Sequence, residues 1–160
     1  MEIRTAKIED LEAAVRVEAE CFPQAEAASR EDIKGRLNAY PNHFWLLLDD
    51  GDVIGFVNGM VTDEKDLRDE MYENAGLHDE NGKWQMIFGL DVIPAYRRQG
   101  CAGMLLRKAI EDAKVQNRAG VVLTCKDRLV HYYAKFGFVD EGISDSSHGG
   151  VVWHQMRLKF

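Results

Sequence analysis

Two arginines and two glycines lie close together in a turn near the middle of the chain, and their chemistry suits a phosphate group. Arg97 and Arg98 supply positive charge, while Gly100 and Gly103 let the backbone approach a ligand closely. The apolar run before this turn is typical of a strand, and the run after it is typical of a helix. Since the free amides of a helix N-terminus attract anions, the sequence predicts a phosphate-binding turn here.

Two widespread phosphate loops do not fit this turn. No Gly-Lys-Ser or Gly-Lys-Thr follows it, and the spacing of Gly100 and Gly103 differs from Gly-x-Gly-x-x-Gly. The nucleoside-triphosphate loop and the dinucleotide fingerprint are therefore excluded. A turn between a strand and a helix also carries glycine for backbone reasons alone, so other residues must decide the function.

The turn resembles the pyrophosphate loop of the GNAT acetyltransferases, whose pattern Gln/Arg-x-x-Gly-x-Gly/Ala is matched by Arg97, Gly100 and Ala102. The segment LTCKDRLVHYYAKFGF and the tail GGVVWHQMRLKF are similar to the arylalkylamine (serotonin) N-acetyltransferases of that superfamily. The resemblance implies acetyl-CoA as co-substrate. It also implies backbone contacts to this molecule from Leu90, Asp91, Val92, Arg97, Arg98, Gln99, Gly100, Cys101, Ala102 and Gly103.

Acetyl transfer to an amine needs a base for the ammonium proton, a donor for the oxyanion and an acid for the leaving thiolate. The resemblance implies that Tyr133 is the acid and that the amides of the central strand, Leu90 to Val92, face the thioester. The structural alternative for Tyr133 is a core aromatic packed with Phe136 and Phe138.

The sequence departs from the arylalkylamine pattern at the positions that supply the general base. The two histidine positions of that family are occupied by Met86 and Phe88, and neither side chain accepts a proton. Glu26, His78 and His148 are the remaining candidates, each with a surface role as the alternative. Phe22, Glu26, Met86 and Phe88 are predicted to line the acceptor site, although the apolar members also suit an ordinary core.

Composition favours one globular domain over residues 1–160, with 46% hydrophobic and 29% charged residues. The net charge of −7 argues against a nucleic-acid partner and favours cationic small molecules such as amines. Three cysteines without paired spacing predict neither a disulfide framework nor a metal site. No membrane segment or signal peptide is recognised, so we expect a cytoplasmic protein, monomeric or homodimeric.

Hydrophobic periodicity and turn residues predict a mixed α/β sheet with one core, in the element order of the GNAT fold. Strands are predicted over 2–6, 43–49, 53–62, 84–92, 120–125 and 151–158, and a further strand is predicted to begin over 136–139. Helices are predicted over 8–22, 102–113 and 129–135, and from 29 to an end between 38 and 41. The acidic segment 63–83 is predicted as a solvated loop with one helical turn.

The function that these observations favour is acetylation of a primary amine, such as a small arylalkylamine, by direct attack in a ternary complex. Two alternatives stay open. The chain could bind acyl-CoA as a sensor without turnover, or it could acetylate a protein N-terminus or a lysine. A covalent route through Cys101 or Cys125 is disfavoured because neither has an evident histidine base.

Overall fold

The computed structural model describes all residues from 1 to 160. The strands are β1 (Glu2–Thr5), β2 (Phe44–Asp49), β3 (Asp52–Asn58), β4 (Val61–Thr62), β5 (Trp84–Ile87), β6 (Gly89–Val92), β7 (Gly120–Cys125), β8 (Val139–Ile143) and β9 (His154–Lys159). The helices are α1 (Leu11–Cys21), α2 (Arg30–Ala39), α3 (Glu70–Glu73), α4 (Cys101–Val115) and α5 (Val130–Ala134). The predicted mixed α/β fold class is confirmed.

The strands form two sheets that diverge at Phe88. One sheet has the order β1-β2-β3-β6, and the other has the order β4-β5-β7-β9-β8, in which β5 and β7 are parallel. The sequence predicted one strand over 84–92, but the strand is divided where the Phe88 amide bonds the Asn58 oxygen at 2.7 Å. Strand β6 is hydrogen-bonded to β3, and β7 is hydrogen-bonded to β5. The two strands therefore separate, and a wedge-shaped gap, called the wedge below, opens between β6 and β7.

The helices cover both faces of this sheet pair and divide the core into three clusters, where the sequence predicted one. Helix α4 packs on one face, and α1 and α2 pack on the other. Ser29 caps α2 as its motif predicts, since its Oγ accepts a hydrogen bond from the Asp32 amide at 3.1 Å. The third cluster includes Met86, Leu67 and Met71.

Two other predicted elements differ in detail. The strand predicted over 53–62 is divided into β3 and β4 at Gly59, where a Cβ would lie 1.8 Å from the Met86 oxygen. The acidic segment does contain one helical turn, α3, but it is not simply solvated. Leu67 and Met71 are buried at 5% and 0% exposure. No helix in this fold combines the length and apolar character that crossing a membrane requires.

Candidate active site

Two cavities meet where the sheets diverge. The loop cavity, about 570 Å³, is bordered by the turn before α4, and the inner cavity, about 550 Å³, extends below α1 and α2. Both cavities are lined by Cys21, Phe22, Leu90, Arg128, Leu129 and Tyr133. A molecule lying in the loop cavity would therefore reach the inner cavity past Leu90 and Tyr133.

The turn before α4 has a row of free backbone amides beside the loop cavity, which is lined by Arg98 and by the residues from Gly100 to Gly103 but not by Gln99. Gly100 has φ +80° and Arg98 has φ +63°, which turns the chain sharply into the 15-residue helix α4. The six amides from Arg98 to Gly103 form no hydrogen bond with a protein acceptor. A Cβ at Gly100 would meet nothing within 4 Å. The turn is thus unblocked and suited to an anion with several oxygens.

The edge of β6 that faces the wedge offers further donors. Hydrogen-bonded pairs alternate along an antiparallel ladder, and the Ile93 amide bonds the Ile54 oxygen at 3.0 Å. The amide of Asp91, paired with Phe56, therefore points to β3, whereas the amides of Leu90 and Val92 point into the wedge. Arg97 lies beneath this edge, and its Nε donates to the Val92 oxygen at 3.0 Å.

Tyr133, on α5, lies at the junction of the cavities with 9% of its surface exposed. Its hydroxyl has no hydrogen-bond partner in the protein, and burial raises the pKa of this phenol above its ordinary value. The phenol is therefore protonated at neutral pH and faces the space between the cavities. Tyr132 packs its ring edge-on against Phe136, with centroids 5.3 Å apart.

The inner cavity combines aromatic rings with charged groups. Phe22, Phe88 and Glu26, which were predicted to line the acceptor site, all border it. Glu26 is 8% exposed, and its Oε1 lies 2.6 Å from Lys126 Nζ. Other charged groups at its wall were not predicted: Glu18, Asp32, Arg36, Glu73 and Arg128.

His148 forms part of the cavity's roof. Its Nε2 donates a hydrogen bond to the backbone oxygen of Glu26 at 2.8 Å, and its ring stacks on Tyr72 with centroids 5.0 Å apart. Trp153 Nε1 in turn donates to the His148 oxygen at 2.8 Å. The connection between β8 and β9 therefore crosses over the connection between α1 and α2.

Met86 does not line either cavity, so the prediction that it contacts an acceptor is wrong for this structure. Its side chain is fully buried in the third cluster. Leu67 and Met71, supplied by the acidic segment that the sequence predicted as solvated, pack in the same cluster. Met86 therefore occupies the ordinary core position that was its alternative interpretation.

His78 is likewise outside both cavities, which removes it as a base candidate. Its Nδ1 accepts a hydrogen bond from the Val61 amide at 3.0 Å, so its Nε2 carries the proton and donates to Glu80 Oε1 at 3.0 Å. His43, His78 and Glu80 bring three potential metal ligands within 4.8 Å. With both nitrogens of His78 engaged, hydrogen bonds explain this cluster without a metal.

The cysteine environments do not favour a nucleophile. Burial raises the pKa of Cys125 to about 11, so its thiol is neutral at physiological pH. Cys21 lines both cavities, and burial raises its pKa despite the nearby Arg97. Cys101 is buried at the start of α4.

The sequence model of the acetyltransferase (GNAT) family matches residues 9–138 of this chain. That range covers every element from α1 to α5, including the turn at Gly100 and the phenol of Tyr133. The chain belongs to the GNAT acetyltransferase family.

Individual relatives are distant in sequence but similar in structure. The serotonin N-acetyltransferase of Mesocricetus auratus is 26% identical over 128 residues, which are 79% of this chain and 60% of that protein. The GNAT-like decarboxylase GphF, solved with isobutyryl-CoA, is 25% identical over 99% of both chains, with a TM-score of 0.85. The loading GNATL domain of CurA from Lyngbya majuscula is 16% identical, with a TM-score of 0.86 over 99% of this chain and 96% of that one.

Proposed function

We propose that this protein transfers an acetyl group from acetyl-CoA to a small primary amine, by direct attack in a ternary complex. The observation that carries the proposal is the row of six free amides at the mouth of one cavity, which leads past Leu90 and Tyr133 into a second cavity. A pyrophosphate on the amides would direct the thioester to the junction. The acceptor would then attack from the inner cavity.

Each step of the transfer has a candidate group. The amides from Arg98 to Gly103 hold the pyrophosphate with the positive end of the α4 dipole. The Leu90 and Val92 amides face the pantetheine arm and the developing oxyanion. When the carbon–sulfur bond breaks, the protonated phenol of Tyr133 gives its proton to the thiolate.

The inner cavity favours a small acceptor over a protein segment. Its roof is closed by the hydrogen bond from His148 to the Glu26 oxygen, and Phe22, Phe88 and Trp153 supply apolar wall. The carboxylates at its wall suit the charge of an ammonium group. An arylalkylamine or a related amine matches this combination, since a ring would meet the aromatic residues and the amine would meet the acids.

A second candidate is decarboxylation of a carboxylated acyl-CoA. The observation that favours it is the 25% identity to GphF over 99% of both chains. Arg36, Lys126 and Arg128 also line the inner cavity and would receive a carboxylate there. In this reaction the bond to the carboxylate breaks, CO₂ leaves, and the remaining carbon takes up a proton.

One set of assays separates these functions. Thiol release from acetyl-CoA is measured with a panel of arylalkylamines, alkylamines and peptides, and CO₂ release is measured with malonyl-CoA and methylmalonyl-CoA. Thiol release that depends on a small amine supports the proposal, whereas CO₂ release without an amine supports decarboxylation. Tight CoA binding without either product would contradict both and would leave an acyl-CoA sensor.

A further inference from the structure

Two buried carboxyl groups meet beside the junction of the cavities. Asp91, in β6, is 0% exposed, and neither of its carboxyl oxygens has a hydrogen-bond donor in the protein. Glu18, in α1, is 6% exposed, and its Oε2 accepts a hydrogen bond from the Ala28 amide at 2.7 Å. Burial and the neighbouring Glu18 raise the pKa of Asp91 well above its ordinary value.

This arrangement is costly unless the two groups share a proton. Two carboxylates side by side in a buried site repel each other, and each has lost its hydration. A single proton between them relieves the repulsion and gives the Asp91 oxygens the donor that no other protein group supplies. A purely structural role would have been served better by an amide or an apolar side chain.

The two carboxyls lie on different cavities. Glu18 lines the inner cavity, where the acceptor is proposed to bind, and Asp91 lines the loop cavity next to Leu90. Glu18 precedes Cys21 and Phe22, which border both cavities, by about one helical turn. The pair therefore flanks the place where amine and thioester would meet. The Asp91 oxygens are fully covered, so only Glu18 reaches an acceptor directly.

We propose that Glu18 is the catalytic base that takes the surplus proton from the acceptor amine, and that Asp91 is a positioning residue whose carboxyl holds the pair's resting proton and donates it in a hydrogen bond to Glu18. The inference rests on the proposed function. The carboxyl pair would supply the general base that Met86 and Phe88 cannot provide at the two histidine positions of the arylalkylamine family.

The proton balance of the transfer closes with this pair. The ammonium gives one proton to Glu18, and its nitrogen then forms the bond to the thioester carbon. The carbon–sulfur bond breaks, Tyr133 protonates the thiolate, and the nitrogen's second surplus proton replaces the one that Tyr133 gave. Glu18 returns the proton it took to water when the products leave, and the pair keeps its resting proton.

Glu26 and His148, the two base candidates that the sequence offered in the inner cavity, each have a partner of their own. Glu26 forms an ion pair with Lys126, with 2.6 Å between its Oε1 and the Lys126 Nζ. His148 donates from Nε2 to the Glu26 oxygen, so Nδ1 is its only nitrogen left to accept a proton, and His148→Asn is therefore included in the tests below. Several charged or titratable groups face the carboxyl pair or the cavity beside it: Cys21 from α1, Asp32 and Arg36 from α2, Tyr72 and Glu73 from α3, Tyr133 from α5, Glu26 and His148 from the connections, and Lys126 and Arg128 after β7. Of these, Arg36 favours the charged form of Asp91 and Cys21 opposes it.

The pH dependence of thiol release tests this assignment, with the panel amine that the wild-type protein uses. Glu18→Gln is expected to lower kcat/KM about 100-fold near neutrality. It should also abolish the acidic limb of the profile and regain rate at high pH, where the amine arrives neutral. Asp91→Asn is expected to keep the acidic limb, because its amide can replace the donor that the protonated Asp91 carboxyl supplies to Glu18, whereas Asp91→Leu removes that donor and should move the limb to higher pH. Glu20→Gln, an exposed position on the same helix that pairs with Arg16, is the control and should leave the profile unchanged.

Infrared spectroscopy tests the shared proton without any turnover. A protonated carboxyl band should persist in the wild-type protein at pH values where ordinary carboxyls are ionised, because the pair retains one proton, and this band should be lost in Asp91→Asn. A band that titrates only with the ordinary carboxyls would overturn the shared proton.

In the pH profiles, an acidic limb that is unchanged in Glu18→Gln, or one that is lost in His148→Asn instead, would overturn Glu18 as the base. If no amine releases thiol from the wild-type protein, the proposed function fails and the base assignment fails with it, while the infrared result still decides the shared proton.

Discussion

The Nε2 of His148 donates a hydrogen bond to the backbone oxygen of Glu26 over 2.8 Å, and this bond joins segments 122 positions apart. Glu26 belongs to the connection between α1 and α2, and His148 to the connection between β8 and β9. Their contact closes the inner cavity from above. The proposed acceptor site is therefore assembled from both ends of the chain, around a central turn that serves the other substrate.

Replacing His148 tests this roof. In His148→Gln the side-chain Nε2 still reaches the Glu26 oxygen, whereas the shorter side chain of His148→Asn does not. Because a neutral hydrogen bond contributes about 1 kcal/mol, the asparagine variant should raise the KM of the amine about fivefold and leave CoA affinity unchanged. The glutamine variant should resemble the wild type. An equal loss of kcat in both variants would instead indicate that the imidazole itself takes part in the chemistry.

Gly100→Val should weaken CoA binding. The residue has φ +80°, which strains a β-branched side chain and should disturb the turn that holds the free amides, although a Cβ there would meet no atom within 4 Å. We expect the Kd to rise about tenfold or more in calorimetry, equivalent to at least ~1.4 kcal/mol. Gly142→Val is the matched control, because Gly142 has φ +96° with equally open surroundings in β8. An unchanged Kd for Gly100→Val would show that the phosphate lies elsewhere.

Tyr133→Phe should lower kcat about 100-fold, within the range of a lost general acid, and leave CoA affinity unchanged. Burial raises the pKa of Tyr133 above its usual 10, so the wild-type rate should show no alkaline decline from this group below that pH. Tyr132→Phe removes the neighbouring hydroxyl, whose ring packs against Phe136, and should retain the rate. Equal rates for both variants would remove Tyr133 from the mechanism.

The parts of the site that lie on one continuous segment could be predicted from the sequence. The turn at Gly100 and the helix after it depend on local signals, namely a positive-φ glycine and an amphipathic repeat. The hairpin of β2 and β3 followed equally from the turn at Asp50 and Gly51. Site residues of this kind stay predictions until binding is measured, but their local structure is as expected.

The parts that depend on tertiary packing could not be predicted. No local sequence signal predicts that Leu67 and Met71 bury Met86, or that the strand over 84–92 divides at Phe88. One signal for the carboxyl pair was present. Glu18 lies seven positions after Leu11, which places it on the apolar stripe of α1. An acid on such a stripe needs a partner, but the partner, Asp91, is supplied by a distant strand.

Glu80 secures the acidic segment that covers part of the inner cavity. Its carboxylate lies 2.9 Å from His43 Nε2, 3.0 Å from His78 Nε2 and 3.0 Å from Arg118 Nη2. Partial burial raises the pKa of Glu80, but hydrogen bonds from His43 and His78 outweigh it and lower the pKa to about 2. A carboxyl whose folded pKa is depressed stabilises the protein above its unfolded pKa and loses that contribution as the pH falls.

Glu80→Gln should therefore lower the free energy of unfolding by about 1 kcal/mol at pH 7, a modest amount because the side chain is half exposed. The difference from the wild type should shrink as the pH falls from 4.5 to about 2, the interval between the ordinary and the folded pKa. Urea unfolding at several pH values measures it, with Glu111→Gln on the exposed face of α4 as the control. If the difference in unfolding free energy stays constant over this interval, the charge of Glu80 does not stabilise the acidic segment. Packing and hydrogen bonds that do not depend on the charge would then account for its stability.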